Sequence, residues 1–415
     1  MNSRLLAVLA SSALLLSGFA AADGETGAPP PANWVGTWAS VPTATPAIST
    51  PALNNETIRQ VIHTSVAGSE VRLRLTNEFG TQALRIGEVH VARRTTGTNI
   101  DPATDRVVTF SGTRSPVIPA GAPLLSDPVR LSVPARTDLV VSIYVPDPTQ
   151  VTTLHAFANT GNVVAAGNVT DDAAVTGRTV GQWYFLSTVS VRADRSTEAI
   201  VAFGDSITNG SATEADTNTR WPDLLARRLR NDGVLNLGVA GNRLLHDPNP
   251  PPGSNAESFA KFFGESALRR FDRDVLAQPG AEYVIVLLGV NDLGHPGTVA
   301  PLSETVTAED IIAAHRQLIT RAHAEGLTIY GATILPFKDD TLGFYTPENA
   351  AKRRAVNNWI RTSGGYDGVI DFDKATRDAA DPERLRAEFD SGDHLHPNGA
   401  GMAAMAAAIP LQLFR

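Results

Sequence analysis

The chain has no cysteine among its 415 residues. Disulfides, thiolate metal sites, thiol-linked lipids and cysteine nucleophiles are all excluded. Leu15-Leu16-Ser17-Gly18-Phe19 has the outline of a lipoprotein signal, but Phe19 stands where the lipid-bearing cysteine would have to be. Basic charge is also scarce, with 35 Lys and Arg against 43 Asp and Glu, a formal charge of −8. A surface of that sign repels phosphate backbones, so no nucleic-acid partner is expected. Beyond the N-terminus no apolar run is long enough to span a bilayer, so no integral membrane segment is expected after processing. Internal repeats are absent and low-complexity stretches are short. The 42 % hydrophobic content is enough for packed cores, and the length predicts two or three domains.

The N-terminus reads as a secretory signal peptide over residues 1–22. Arg4 is followed by an apolar run from Leu5 to Leu16 and by Phe19-Ala20-Ala21-Ala22, with cleavage expected after Ala22. The run falls short of the ~20 residues a membrane helix needs. A secreted or periplasmic location in a bacterium follows as an expectation. Residues 23–33, with Pro29-Pro30-Pro31, read as a flexible tether.

Residues 34–195 have the texture of β structure. Val71-Arg72-Leu73-Arg74-Leu75-Thr76 alternates apolar and polar residues, and Gly87–Val91 and Asp138–Val145 read similarly. Turn residues such as Asn77, Gly80 and Pro119-Ala120-Gly121 separate the runs, which predicts a β-sandwich or jelly roll. From 196 to 415 strand-like and helix-like runs alternate, the pattern of a parallel sheet with crossover helices. Expected strands are Ala199–Phe203, Val234–Leu237, Tyr283–Leu288, Thr328–Ala332 and Gly368–Ile370. Expected helices are Trp221–Arg230, Ser266–Leu276, Ala308–Ala324, Glu348–Arg361 and about Asn398–Leu413. Thr307 with Asp310 has the form of a capping box before the third of these.

Short motifs fall at the strand ends, where open α/β sheets bind their ligands. Gly204-Asp205-Ser206-Ile207-Thr208-Asn209-Gly210 follows the first strand, Asn236-Leu237-Gly238-Val239-Ala240-Gly241-Asn242 closes the second, and Gly289-Val290-Asn291-Asp292 closes the third. Asp393-His394-Leu395-His396-Pro397 precedes the final helix. Together these motifs resemble the blocks of the GDSL or SGNH hydrolases, over about residues 199–415. The resemblance implies a flavodoxin-like three-layer catalytic domain and a serine esterase or acylhydrolase. Long members of that family carry a β module before the catalytic domain, as this layout does.

The chemistry also follows from the residues. A serine hydroxyl attacks a carbonyl only when a neighbouring base takes its proton. His396 is the candidate base, and Asp393, three residues before it, can hold one ring nitrogen and leave the other for Ser206. The oxyanion donors implied by the resemblance are the N–H of Ser206, the N–H of Gly238 and the side-chain amide of Asn291. No cofactor is expected, since Gly238-xx-Gly241 is not a dinucleotide loop. No metal is expected either, because His394 and His396 would point to opposite sides of an extended segment.

Other residues of these motifs carry simpler readings. Asp205, Asp292 and Asn242 read as turn-holding or supporting residues. His63, His90, His155, His315 and His323 lie away from the motifs in sequence and read as ordinary surface or core residues. Asn209-Gly210-Ser211 is a glycosylation sequon whose glycan would obstruct Ser206. The proline-rich loop Leu244–Phe263, with His246, Phe259, Phe262 and Phe263, could wall a pocket or simply anchor itself to the core, and Phe337, Phe344 and Tyr345 flank a second loop. Trp34, Trp38, Trp183 and Tyr184 could stack sugars but more often serve packing. The expected substrate is a small-molecule or polysaccharide ester, with polysaccharide O-acetyl groups and lysophospholipids as special cases. The competing reading is a carbohydrate-binding protein without activity.

Overall fold

The computed structural model describes residues 33–415. The signal peptide expected at 1–22, and the tether up to residue 32, lie outside the described residues.

From Asn33 to Ala193 the paired strands are antiparallel. One five-stranded sheet holds Asn33–Ala39, Leu186–Ala193, Gly68–Thr76, Pro123–Leu125 and Val129–Val133. A six-stranded sheet runs Arg178–Val180, Asn162–Ala166, Glu56–His63, Asp138–Val145, Glu88–Arg93, Arg106–Val107. The alternation at 71–76 does what it predicts: Val71, Leu73 and Leu75 are buried, and Arg72 and Arg74 stay partly exposed. Asp138–Val145 is apolar almost throughout because it is a central strand, covered on both faces. The inner faces of the two sheets share one core, with Leu73, Val191, Ile58 and Val141 among its members. Trp38, Trp183 and Tyr184 are buried in that region, so none of them presents a face to a sugar.

The C-terminal region is a five-stranded parallel sheet in the order Gly233–Gly238, Ala199–Gly204, Ala281–Leu287, Thr328–Ala332, Gly368–Ile370. With strands numbered along the chain this is the 2-1-3-4-5 order of flavodoxin-like folds. Side chains of Ala199–Gly204 alternate between two cores. Ile200 and Ala202 pack with Trp221, Leu225 and Met402 on one face, while Val201 and Phe203 pack with Phe271, Ile311 and Leu318 on the other. Three layers result, helices on both sides of a sheet.

Helix ends follow local chemistry. Thr307 Oγ1 accepts from the Asp310 N–H while Asp310 accepts from the Thr307 N–H, the reciprocal cap expected there. The last helix stops at Ala408 rather than near Leu413, because Ile409 precedes Pro410 and takes an extended conformation. The expected helix over Ser266–Leu276 is an α turn at Ala267–Phe271 continued by a π turn at Asp272–Leu276.

Residues 33–415 form one compact unit. Strand Asn33–Ala39 lies against strand Gly233–Gly238, where a Cβ on Gly233 would come within 2.2 Å of the Gly36 carbonyl. Only glycine permits that approach. The Gly36 N–H donates to the Pro279 carbonyl at 2.8 Å, and Val35 shares a core with Leu235 and Val284. Among the described residues no helix is long and apolar enough to cross a membrane.

Candidate active site

Ser206 opens a four-residue helix, Ser206–Asn209, directly after strand Ala199–Gly204. The turn is tight: a Cβ on Gly204 would meet Thr208 Oγ1 at 2.1 Å. Asp205 caps the helix by accepting from the Ile207 N–H at 3.0 Å. Ser206 Oγ lies 2.8 Å from His396 Nε2, and His396 Nδ1 lies 2.6 Å from Asp393 Oδ2. The other oxygen of Asp393 accepts from the N–H groups of Leu395 and His396 at 2.9 and 2.8 Å. One carboxylate thus holds both the ring and the backbone of the loop that presents it. Burial opposes its charge, but the His396 ring and these N–H groups hold its carboxyl well below the usual carboxylate range. Asp205 is different: burial pushes its pKa up to about 7, against the Ile207 N–H and the His396 ring.

The expected oxyanion donors divide. The Ser206 N–H has no acceptor among the described residues. Asn291 uses one of its two amide hydrogens on the Asn242 carbonyl, at 2.9 Å, and keeps the other. Gly238 departs from expectation: its N–H already donates to Asn236 Oδ1 at 3.0 Å. Gly238 is the last residue of its strand, packed so closely under the helix that a Cβ would stand 2.1 Å from the Asn209 nitrogen. Gly241, three residues on, has φ +75°, is half-buried, and has an N–H with no acceptor among the described residues. It adjoins Asn242, whose carbonyl holds Asn291. Of the two glycines of this loop, the N–H of Gly238 is spent and that of Gly241 is not. The motif supplied both glycines; side-chain capture of one N–H distinguishes them.

Three buried polar residues hold the loops in place. Asp292 accepts from the N–H groups of Leu244 and Leu245 at 2.7 and 2.9 Å. The Asn242 amide donates to the carbonyls of Phe263 and Glu265 at 2.7 and 2.8 Å, closing the proline-rich loop. Arg270, which the sequence reading passed over, donates to Asn242 Oδ1 at 3.0 Å and to the carbonyls of Gly204 and Leu237 at 3.0 and 3.2 Å. It thereby ties the ends of two strands to the loop between them, with Asp274 at 3.4 Å as its counter-charge. A signal was present: an arginine on the same apolar helix face as Ala267 and Phe271, with an aspartate four residues on.

Several histidines read as bystanders divide as well. His63, His90, His315 and His323 pair with Asp138, Asp105, Tyr366 and Asp367, away from Ser206. His155 does not stay away. Its Nε2 lies 2.6 Å from Asn209 Oδ1, on the helix that Ser206 opens. The Asn209 amide is thus occupied and buried, so the folded sequon offers no glycan acceptor. His394 also differs in its reason. The segment is not extended but a loop bridged from Asp390 to Pro397, with His394 at φ +61° and its ring held by Asp390.

The loop aromatics lie beside the glycine and asparagine donors. Phe263 packs on Gly241 and, at 5.2 Å between centroids, on the ring of His295, which also meets Phe344. Phe259 continues the row outward and is exposed. Burial, with the Arg243 charge, pushes the His295 pKa down to about 3, so this imidazole is neutral. Phe337 and Phe344 are buried, and Tyr345 donates to Glu383, so that loop is largely self-anchored.

A serine at the edge of a parallel sheet, an imidazole upon it and a carboxylate behind define the architecture of an α/β serine hydrolase. Residues 202–404 match the GDSL-like lipase/acylhydrolase family, and this part of the chain is a domain of that family. The protein is accordingly a carboxylic ester hydrolase by class. Three solved structures illustrate the likeness. A GDSL-like lipase from Bacteroides thetaiotaomicron is 16 % identical over 52 % of this chain and 88 % of its own, with TM-score 0.37. The M. smegmatis aryl esterase is 17 % identical over 52 % and 98 %, with TM-score 0.39. A carbohydrate acetylesterase from Sinorhizobium meliloti is 14 % identical over 51 % and 95 %, with TM-score 0.38. The class rests on the family match. No curated protein matches the chain significantly.

Proposed function

We propose that the protein is a secreted serine esterase that cleaves carboxylic esters through an acyl-enzyme on Ser206. His396 takes the Ser206 proton and returns it to the leaving alcohol, and Asp393 orients and stabilises the imidazolium. The oxyanion is received by the N–H groups of Ser206 and Gly241 and by the Asn291 amide, Gly241 replacing Gly238 in that role. Water then repeats the sequence on the acyl-enzyme.

The observation that carries this reading is the unbroken chain Asp393–His396–Ser206, at 2.6 and 2.8 Å, beside donors left without acceptors. A binding protein needs no such proton path, and the buried Trp38, Trp183 and Tyr184 weaken the carbohydrate-binding alternative. The pair Phe259 and Phe263, with Phe263 packed on Gly241, supports an ester with an apolar acyl or aryl group over a highly polar one. Polysaccharide acetates and lysophospholipids remain within the same chemistry. Export to the periplasm or medium rests on the signal-like residues 1–22.

The test is hydrolysis of p-nitrophenyl acetate and butyrate by the protein lacking residues 1–22. Activity that survives a chelator and is abolished in Ser206→Ala, with circular dichroism unchanged, supports the proposal. Equal activity in that variant would overturn it. A panel of acyl lengths, aryl esters, acetylated glycans and lysophospholipids then assigns the substrate, and fractionation of expressing cells locates the product.

A further inference from the structure

The N-terminal β region reaches the helix that Ser206 opens at one side chain. Asn209, the last residue of that helix, is 3 % exposed and has its amide taken from both ends by the β region. Its Oδ1 lies 2.6 Å from His155 Nε2, and its Nδ2 donates to the Phe157 carbonyl at 3.1 Å. No other acceptor or donor of the catalytic region bonds that side chain among the described residues.

His155 is itself immobilised. It is 4 % exposed, and its Nδ1 lies 3.0 Å from the Val41 carbonyl. Its strand, Thr153–His155, is the middle of a three-stranded sheet between Thr43–Ala44 and Trp183–Tyr184. The ring packs on Trp183 at 5.5 Å, which sits edge-on to Trp38 at 4.9 Å and donates its indole N–H to the Val61 carbonyl at 2.9 Å. Every movement of His155 would therefore disturb a packed core. From the sheet side the same helix is held at Thr208, whose carbonyl accepts from Asn236 Nδ2 at 2.8 Å, and by Ile207, buried in the core with Ile200 and Ala202.

We infer that His155 and the Phe157 carbonyl are positioning groups for the nucleophile: the β region sets the angle at which Ser206 meets His396 by clamping Asn209. This rests on the proposed role of Ser206. A four-residue helix has too few internal hydrogen bonds to hold its own orientation, so outside anchors must supply it. Displacing a nucleophile by about 1 Å can cost ~10²-fold in rate, which makes such an anchor matter. The β region then contributes to the chemistry through protein contacts, whatever else it binds.

The test measures kcat and KM on p-nitrophenyl butyrate for the whole mature chain, per site titrated with a fluorophosphonate. His155→Ala and Asn209→Ala should each lower kcat ~10- to 100-fold with KM changed less than about threefold. The double variant should be no worse than the worse single one, because the two side chains form one contact. His155→Gln, whose amide can still donate to Asn209, should recover most of the loss. Ser49→Ala removes a different contact between the regions, the bond from Ser49 Oγ to the Ser258 carbonyl at 2.9 Å, and should leave kcat unchanged. Wild-type kcat per titrated site in both single variants, or losses that multiply in the double variant, would overturn the inference. If His155→Ala fails to fold, Asn209→Ala and its reaction rate with the fluorophosphonate decide alone. A wild type that neither hydrolyses esters nor is labelled at Ser206 would overturn the proposed function instead.

Discussion

His396 Nε2 stands 2.8 Å from Ser206 Oγ although 190 positions of chain separate them. The two ends of the catalytic region are brought together by one sheet edge, and the bond has the geometry of a base poised on its nucleophile. Groups that act as a unit are lost as a unit. Ser206→Ala and His396→Ala should each cost ~10⁴-fold or more in kcat, and the double variant hardly more than either. Asp393→Asn should cost on the order of 10⁴-fold by freeing the ring to take the wrong tautomer. Steady-state kinetics on p-nitrophenyl esters checks all three.

Asn291 spends one amide hydrogen on the Asn242 carbonyl and has no acceptor for the other among the described residues, which under the proposed mechanism leaves it for the oxyanion. Asn291→Ala should therefore lower kcat by ~10²–10³-fold with little change in KM, since the lost bond forms chiefly in the transition state. Asn291→Asp should be at least as damaging, because it sets a carboxylate beside a developing negative charge. A rise in KM with kcat preserved would count against Asn291 as an oxyanion donor.

Arg270 is fully buried and ties Gly204, Leu237 and Asn242 together. Arg270→Leu would strand three acceptors and remove a counter-charge from Asp274, for a loss of about 3–5 kcal/mol in stability. Arg270→Lys should restore little, since one ammonium cannot reproduce the planar fork. Denaturant unfolding of both variants measures this.

Two buried groups give opposite pH dependences. Burial raises Asp205 to about 7, above its unfolded value near ~3.9. Its contribution to stability is present below the unfolded value and lost as pH rises through about 7. Asp205→Asn, which still caps the helix, should therefore stabilise the fold relative to wild type more at pH 8 than at pH 4. His295 is lowered to about 3, below its unfolded value of ~6.5. Its contribution is present above that unfolded value and lost as pH falls toward about 3, so His295→Phe should flatten the acid limb of the stability curve. Melting temperatures of each variant and wild type from pH 4 to 8 decide both.

Periodicity and local motifs determined a good deal by themselves. The parallel sheet was legible because Ala199–Phe203, Thr328–Ala332 and Gly368–Ile370 are short apolar runs between helix-period segments, and each is a strand. The pairing of Asp393 with His396 was legible because three residues of one loop are enough to bring them together. What escaped the sequence depends on which polar groups find each other across the fold. Gly238 and Gly241 look alike in the motif, and only the reach of the Asn236 side chain shows which N–H is spent. Arg270 carries no motif, and its part shows only where the Asn242 side-chain oxygen and the Gly204 and Leu237 carbonyls converge on it across the fold. His155 looked remote because 54 positions separate it from Asn209, and strand pairing, not sequence distance, decides such neighbours. Local spacing chose the reacting groups; long-range hydrogen bonding, enforced by the cost of burying an unpaired polar atom, decided how they are held.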